Sequence, residues 1–344
     1  MKLRSIADPI FGDIPLTSIE ARVLNTREFN RLHNIRQVST AYLTYPSLKV
    51  SRFEHSLGVM HLAGQMARSA ILNADKDTRE KFIAEVEKKL DSTKSHVQDL
   101  LLEIFPELSK SAGAHVDVEK SYAVPIDATL RRLSCDFPPE TRGTIMVVIE
   151  AMRLAGLLHD IGHLPYSHLL EFALENEGEK DEKVAKAIDE LKKSIPGGTF
   201  ALHEAIGVMA VYSIERDVLM KEFSGRKYSP QIYMKFKFVV SVFALAREIL
   251  ATPAFQSSKN PLSVLHAIID GVLDADRLDY IIRIQHALGS GRRLSSLQRA
   301  VNRIRFYYES SNAEFRLLHS AKALNDVERL LYERFLVYKA VVCH

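Results

Sequence analysis

Apolar residues return at helical intervals along most of the chain, and few stretches alternate in the way a half-buried strand requires. After Ser18, read as an N-cap, Ile19, Val23, Phe29, Leu32 and Ile35 trace one helical face. Similar patterns predict helices over about 54–72, 141–159, 202–220, 228–251 and 271–288. Strand signals are confined to two places. Arg305–Glu309, the polar turn Ser310–Ala313 and Phe315–Leu318 predict a surface hairpin, and the first 15 residues, punctuated by Pro9, Gly12 and Pro15, predict a second small extended element. The expected fold class is mainly α, with small β-hairpin elements and an inserted helical subdomain.

The insertion is placed at about 75–140. Asp75–Lys94 is rich in Lys, Glu and Asp and keeps Phe82, Ile83, Val86 and Leu90 on one side, as an amphipathic helix does; Pro125, Pro138 and Pro139 break the helical pattern in the rest of the stretch. A second charged segment, Glu175–Lys193, predicts an exposed helix ending at Pro196-Gly197-Gly198. Ala321–His344 is helical in pattern and ends on Val341-Val342-Cys343-His344 with no capping signal, so the natural protein is expected to continue.

Composition narrows the class more than the chemistry. The chain has 344 residues, 47% hydrophobic and 26% charged, enough for a sizeable buried core. No apolar run approaches the roughly 20 residues that cross a bilayer, and the N-terminus lacks the apolar stretch of a signal peptide. Cys135 and Cys343 are far apart and without ligand spacing, so they read as free thiols in a cytoplasmic protein. A net charge of +3 does not by itself imply nucleic-acid binding.

Three sites carry candidate chemistry. His55 stands in Arg52-Phe53-Glu54-His55-Ser56-Leu57-Gly58. In Leu157-Leu158-His159-Asp160-Ile161-Gly162-His163-Leu164-Pro165-Tyr166-Ser167-His168 an apolar helix arrives at adjacent His and Asp before Gly162 and Pro165 break it. Burying so many ionisable groups there is costly unless a metal or charged ligand compensates. In the third site, Asp270–Arg283, Asp276, Tyr280 and Arg283 recur at i, i+4 and i+7 beside Arg277, which suits a carboxylate on a cation with Arg and Tyr on phosphate oxygens. His55, His159, Asp160 and Asp276 together give a mixed nitrogen and oxygen donor set suited to Mn, Fe, Zn or Mg. The chemistry such a set supports is phosphoryl activation.

In this order the sites resemble the H…HD…D motif of the HD-domain superfamily. The words "RFEHSLGV", "AGLLHDIGHLPYSH" and "DADRLDYIIR", with "DPIFGDI" and "FNRLHNIRQV", are similar to the deoxynucleoside triphosphate triphosphohydrolases of the dGTPase-like and sterile-alpha-motif-and-HD kind. The resemblance covers 4–72, 141–220 and 260–344. It implies an HD-type helical fold, a divalent metal on His55, His159, Asp160 and Asp276, and cleavage of a dNTP to deoxynucleoside and triphosphate. It further implies His203 as the histidine of proton transfer with Glu171 as its acidic partner, His163 and His168 facing phosphate, Arg52, Arg277 and Tyr280 on phosphate, and Gln37 and Val38 under the sugar. Read without the resemblance, His203 is a core histidine of its helix. Homo-oligomers, a nucleotide effector and a part in nucleotide-pool control or phage defence belong to the same implication.

This chain departs from that pattern at named positions. Asn25, Asn30 and His33 replace the Asp, Gln and Arg of the family's activating site, and Ile284 replaces an Asp that helps hold the sugar. Alternatives on the same metal centre are a nuclease, a nucleotidase or a cyclic-nucleotide phosphodiesterase, and a non-catalytic nucleotide sensor is a third reading. An open groove lined by Arg292, Arg293, Arg299 and Arg303 would favour nucleic acid; a closed, nucleotide-sized cavity would favour a small substrate.

Overall fold

The computed structural model describes residues 4–106, 127–193, 201–289 and 295–342. Pro125, Pro196, Gly197, Gly198, Arg292, Arg293, Cys343 and His344 lie outside the described residues.

The chain opens with the antiparallel hairpin β1 (Arg4–Asp8) and β2 (Gly12–Leu16), paired Arg4 to Leu16. Its turn is closed by Asp8, whose Oδ1 accepts the N–H groups of Ile10 and Phe11 at 2.8 and 2.9 Å. The helix expected over 19–35 is instead broken into α1 (Ser18–Val23), α2 (Arg27–Asn30) and a 3-10 turn. Thr17, not Ser18, caps α1. Thr26 then restarts the chain, bonding Val23 O through its hydroxyl and accepting the N–H of Phe29.

Five further helices are α3 (Arg52–Leu72), α4 (Lys76–Ser92), α5 (Lys94–Ile104), α6 (Ala128–Ser134) and α7 (Pro139–Leu158). Every residue of α7 from Thr144 to Leu158 is buried, so it is the axis of the molecule. α3 and α4 pack against it. Phe82, Ile83, Val86 and Leu90 of α4 and Val97 and Leu101 of α5 join the same continuous core as α3 and α7. Two ionisable side chains lie inside α7, and each has a partner. The Arg153 guanidinium donates to both carboxylate oxygens of Glu20, at 2.5 and 2.8 Å, and Thr17 donates to Glu150 at 2.5 Å. Burial, reinforced by Glu20, raises the Glu150 carboxyl well above the usual range.

Beyond α7 come α8 (His168–Gly178), α9 (Glu182–Lys193), α10 (Leu202–Phe223), α11 (Pro230–Ala251), β3 (Ser257–Ser258), α12 (Pro261–His266), α13 (Ala275–Ala287) and α14 (Ser295–Asn302). α11 completes the packing around α7. The charged segment expected as one helix is two: α8 buries only Glu171 and α9 buries nothing. The expected C-terminal hairpin is present as β4 (Ile304–Glu309) and β5 (Glu314–His319), and β3 adds a third strand beside β5. Phe306 and Phe315 seat this sheet on Phe82 of α4, with the Phe82 and Phe306 rings stacked at 4.9 Å. α15 (Leu324–Val337) closes the fold. The architecture is mainly α, with only small antiparallel sheets among the described residues. None of the described helices is long and apolar enough to cross a membrane.

Candidate metal centre and adjoining pocket

α3, α7 and α13 converge at one end of the axis, and each delivers donors there by its own local logic. Ser51 and Glu54 form a reciprocal cap that starts α3, placing Arg52 and His55 in its first turns. α7 stops at Leu158, with His159 as its C-cap and Asp160 in the turn beyond. The roughly 100° divergence of neighbouring helical side chains therefore does not separate them. α13 starts from Asp274, whose carboxylate caps Arg277 N at 2.7 Å, and this sets Asp276 in the first turn, where the helix dipole favours an acid.

His55 Nε2, His159 Nε2 and an Asp276 oxygen all lie within 4.8 Å of one another. Asp276 Oδ1 is 2.9 Å from His55 Nε2 and 3.7 Å from His159 Nε2. Asp160 Oδ2 lies 3.6 and 3.4 Å from the same two nitrogens. Both rings are oriented from behind: His55 Nδ1 is 2.8 Å from Asp279 Oδ2, and His159 Nδ1 is 2.8 Å from the carbonyl of Gly156. Both Nε2 atoms are buried and neither makes a well-aligned hydrogen bond, although Asp276 stands close to that of His55. Two orphaned imidazole nitrogens facing two carboxylates are costly in a protein interior and fit a divalent cation. Burial opposes charge on His55, but Asp276 and Asp279 outweigh it and push its pKa up to about 9. Burial would likewise raise the Asp160 and Asp276 carboxyls; Arg52 and His159 hold the first well below the usual range, and His159 and His55 hold the second there. A cation would replace the protons as the neutralising charge.

A second cluster borders the first. His203 Nδ1 is 2.8 Å from Glu171 Oε1, His168 Nδ1 is 2.9 Å from Glu171 Oε2, and His203 N donates to Glu171 at 2.6 Å. Burial would raise Glu171, but His203 and His168 outweigh it and lower its pKa. The His163 and His203 rings stack at 4.1 Å, and His163 Nε2 lies 3.2 Å from Asp160 Oδ1, so His163 joins the two clusters. Burial depresses His163 to about 4. The turn before α8 is strained: Tyr166 and Ser167 hold φ of 63° and 51°. Arg52 Nε donates to Ser167 Oγ at 3.0 Å and its head also meets Asp160. Backbone contact sets the spacing of the two clusters. A Cβ on Gly162 would lie 1.8 Å from His203 O and 2.4 Å from Gly207 N, so α10 rests directly on the His159-Asp160 turn.

Both clusters face a cavity of about 500 Å³. Around it stand Gln37, Val38, Arg52, His159, Asp160, His163, His168, His203, Asp276, Arg277 and Tyr280, all expected from sequence. Gln37 Oε1 is buried with no hydrogen-bond partner. Glu171 stands behind, holding His168 and His203. The Arg277 head is occupied by Asp274 and by Asp270, the latter at 3.1 Å. Arg283 is not among the residues around the cavity. It is buried and bonded to Asp279 and Asp8, so the expected phosphate contact is not made from this position. Asp279, behind His55, was not among the sequence candidates; its signal was the i, i+4 spacing to Arg283, which marks an ion pair on one helical face. Val208, Leu250, His266 and Ile269 are among the other residues of the wall and carried no sequence signal beyond helical periodicity. At the expected activating site, the Asn25 and Asn30 amides donate to the carbonyls of Ala21 and of Leu24 and Thr26, and His33 stacks on Phe53 at 3.6 Å.

No family model matches the chain. A putative HD domain-containing protein of Acanthamoeba polyphaga mimivirus is 22% identical over 97% of this chain and 53% of its own length. The deoxynucleoside triphosphate triphosphohydrolase SAMHD1 of Mus musculus is 24% identical over 82% of this chain and 31% of its own. The crystal structure of a hypothetical protein from Aquifex aeolicus shares the fold, with a TM-score of 0.56 and 19% identity across 100% of this chain and 60% of that one. The chain spans about half the length of the curated relatives it matches. The chain is thus similar to HD-domain proteins over most of its length, and the likeness singles out no narrower group among them.

Proposed function

We propose that the chain is a metal-dependent phosphohydrolase that cleaves a deoxynucleoside triphosphate to deoxynucleoside and triphosphate. The observation that carries this reading is the meeting, at one cavity, of His159, Asp160 and Asp276, backed by the buried His55, with the Glu171-held His203. The family likeness and the SAMHD1 relatives support it. A volume of about 500 Å³ suits a nucleotide-sized ligand. The groove alternative finds no support among the described arginines: Arg299 is held by Asp326, Arg303 reaches the Lys322 carbonyl, and neither borders the cavity.

His55, His159, Asp160 and Asp276 would hold the metal, which when bound supplies the electrophile that polarises the phosphoryl group and acidifies water. Water adds to the α-phosphorus, the bond to the 5′-oxygen breaks, and His203 gives that oxygen its proton. Glu171 makes this possible by fixing Nδ1–H of His203 inward, which leaves the opposite ring nitrogen for the substrate. Gln37 Oε1 offers an unused acceptor for a sugar hydroxyl, and Val38 beside it presents only methyl groups, against which a 2′-hydroxyl would be desolvated without return.

One observation favours a second reading. Arg52 and Arg277, the guanidinium groups on the cavity wall, are already paired with Asp160 and with Asp270 and Asp274, so little free positive charge awaits three phosphates. A nucleotidase or cyclic-nucleotide phosphodiesterase needs less. Incubation with each dNTP, with deoxynucleoside monophosphates and with cyclic nucleotides, in Mn or Mg, decides between them. Triphosphate with free deoxynucleoside is the expected product. Diphosphate or monophosphate products without triphosphate would overturn the triphosphohydrolase assignment and keep the metal chemistry.

A further inference from the structure

His55 heads a chain of four side chains from three separate elements, and the other three, Asp279, Arg283 and Asp8, stand behind it and do not line the cavity. His55 Nδ1 is 2.8 Å from Asp279 Oδ2. Arg283 grips Asp279 with two parallel bonds, Nε to Oδ2 and Nη2 to Oδ1, each 2.8 Å. Its remaining arm reaches Asp8 Oδ2 at 2.9 Å, and Asp8 Oδ1 closes the β1–β2 turn through Ile10 and Phe11. His55 and Asp279 are fully buried, and Arg283 and Asp8 nearly so. The approach of α13 to α3 requires Gly58, one turn after His55, since a Cβ there would fall 1.7 Å from Asp279 Oδ1.

From this arrangement we infer that Asp279 is a positioning residue for the metal centre, held in place by Arg283 and, through it, by the N-terminal hairpin. The inference rests on the metal reading above and adds residues to it. A neutral imidazole has one N–H and one lone pair. With the N–H committed to Asp279, the lone pair of Nε2 points at His159, Asp160 and Asp276, which is the tautomer and ring angle that a cation requires. The carboxylate also makes His55 a better donor, because negative charge behind the ring strengthens its lone pair. Stability alone is a poor reason for the arrangement: taking two carboxylates and a guanidinium out of water costs about as much as their pairing returns. Arg283 is bidentate on Asp279, so it fixes the plane of the carboxylate as well as its charge. A lysine there would supply charge without the plane. Asp8, at the far end, keeps the third arm of the guanidinium from being left unpaired.

The test measures metal affinity directly, by chelator competition with Mn(II) and by the visible spectrum of the Co(II)-loaded full chain, for wild type, Asp279→Asn and Asp8→Asn. Asp279→Asn is expected to weaken metal affinity by about 10–100-fold and to shift the Co(II) bands. Asp8→Asn should show a smaller loss in the same direction. At saturating metal, the KM for substrate should stay near wild type while kcat falls. A purely structural role would lower the melting temperature of the metal-free protein and leave metal affinity and the Co(II) spectrum unchanged; that result overturns the inference alone. If Asp279→Asn fails to fold, Asp8→Asn decides: unchanged affinity there overturns it as well. A wild-type chain that binds neither ion overturns this inference together with the metal reading.

Discussion

At one end of the cavity, the donors of the candidate metal centre come from α3, α13 and the turn after α7, are largely buried, and are held from behind by Asp279, Gly156 and Arg52. At the other end, His168 and Glu171 ride on α8, whose only buried residue is Glu171, and α8 leads into α9, which buries none. The contrast teaches a division of labour. A metal centre tolerates little displacement, so its donors are set in the densest packing available. Helix α8 is joined to the body by a few hydrogen bonds to Glu171 and a strained turn at Tyr166 and Ser167. Local opening is expected to start there, since it has little apolar burial to lose.

The largest effect should come from the buried end. His159→Ala should abolish metal binding and lower kcat by at least about 10³-fold, since the electrophile's share of transition-state stabilisation is several kcal/mol; near-normal turnover with metal lost would break the comparison. His203→Ala should lower kcat by roughly 10²–10⁴-fold, the usual worth of a placed proton donor, with metal content by elemental analysis unchanged. Loss of metal in that variant would show that the two ends are one unit.

A third prediction concerns pH. His61 lies on α3 behind the metal centre, its Nε2 bonded to the Gln65 amide at 2.7 Å. Burial, with Arg153 nearby, lowers its pKa to about 4. It is therefore neutral in the folded state and protonated in the unfolded state below about 6.5. The unfolded state binds the extra proton between those values, so stability is fully present above about pH 6.5 and declines as pH falls toward 4. The loss amounts to roughly 3 kcal/mol at most. Denaturant melts at pH 7 and 4.5 should show it in wild type and show less of it in His61→Leu. The smallest effect should fall on α9: Lys186→Ala removes one arm of an exposed pair with Glu190 and should change stability by less than about 0.5 kcal/mol.

The same division explains what the sequence revealed. The long helices α3, α7, α10 and α11 were legible because their apolar positions recur over many turns, and the terminal hairpins because Gly, Pro and polar turns flank alternating runs. Residues 18–34 were not, because Thr26 competes for the backbone inside an otherwise helical pattern. The residues now facing the cavity were mostly legible, since His, Asp, Arg and Tyr stand out beside apolar neighbours. Arg283 shows the limit. Its spacing from Asp276 and Tyr280 put it on their face, but i, i+4 spacing also put it on Asp279, and only the packing of α13 on α3 decides which partner it meets. Other wall residues, such as Val208, Leu250 and Ile269, are ones that any buried helix would carry.

The bare backbone contact at Gly162 has a consequence for how such a site diversifies. With no side chain between the His159-Asp160 turn and the start of α10, the gap from the proposed metal donors to His203 works as a fixed gauge. Loops at the mouth can lengthen, and wall residues can change to admit another base or sugar, without disturbing that gauge. Descendants of this chain would then be free to change what the cavity admits while inheriting one spacing between its two clusters.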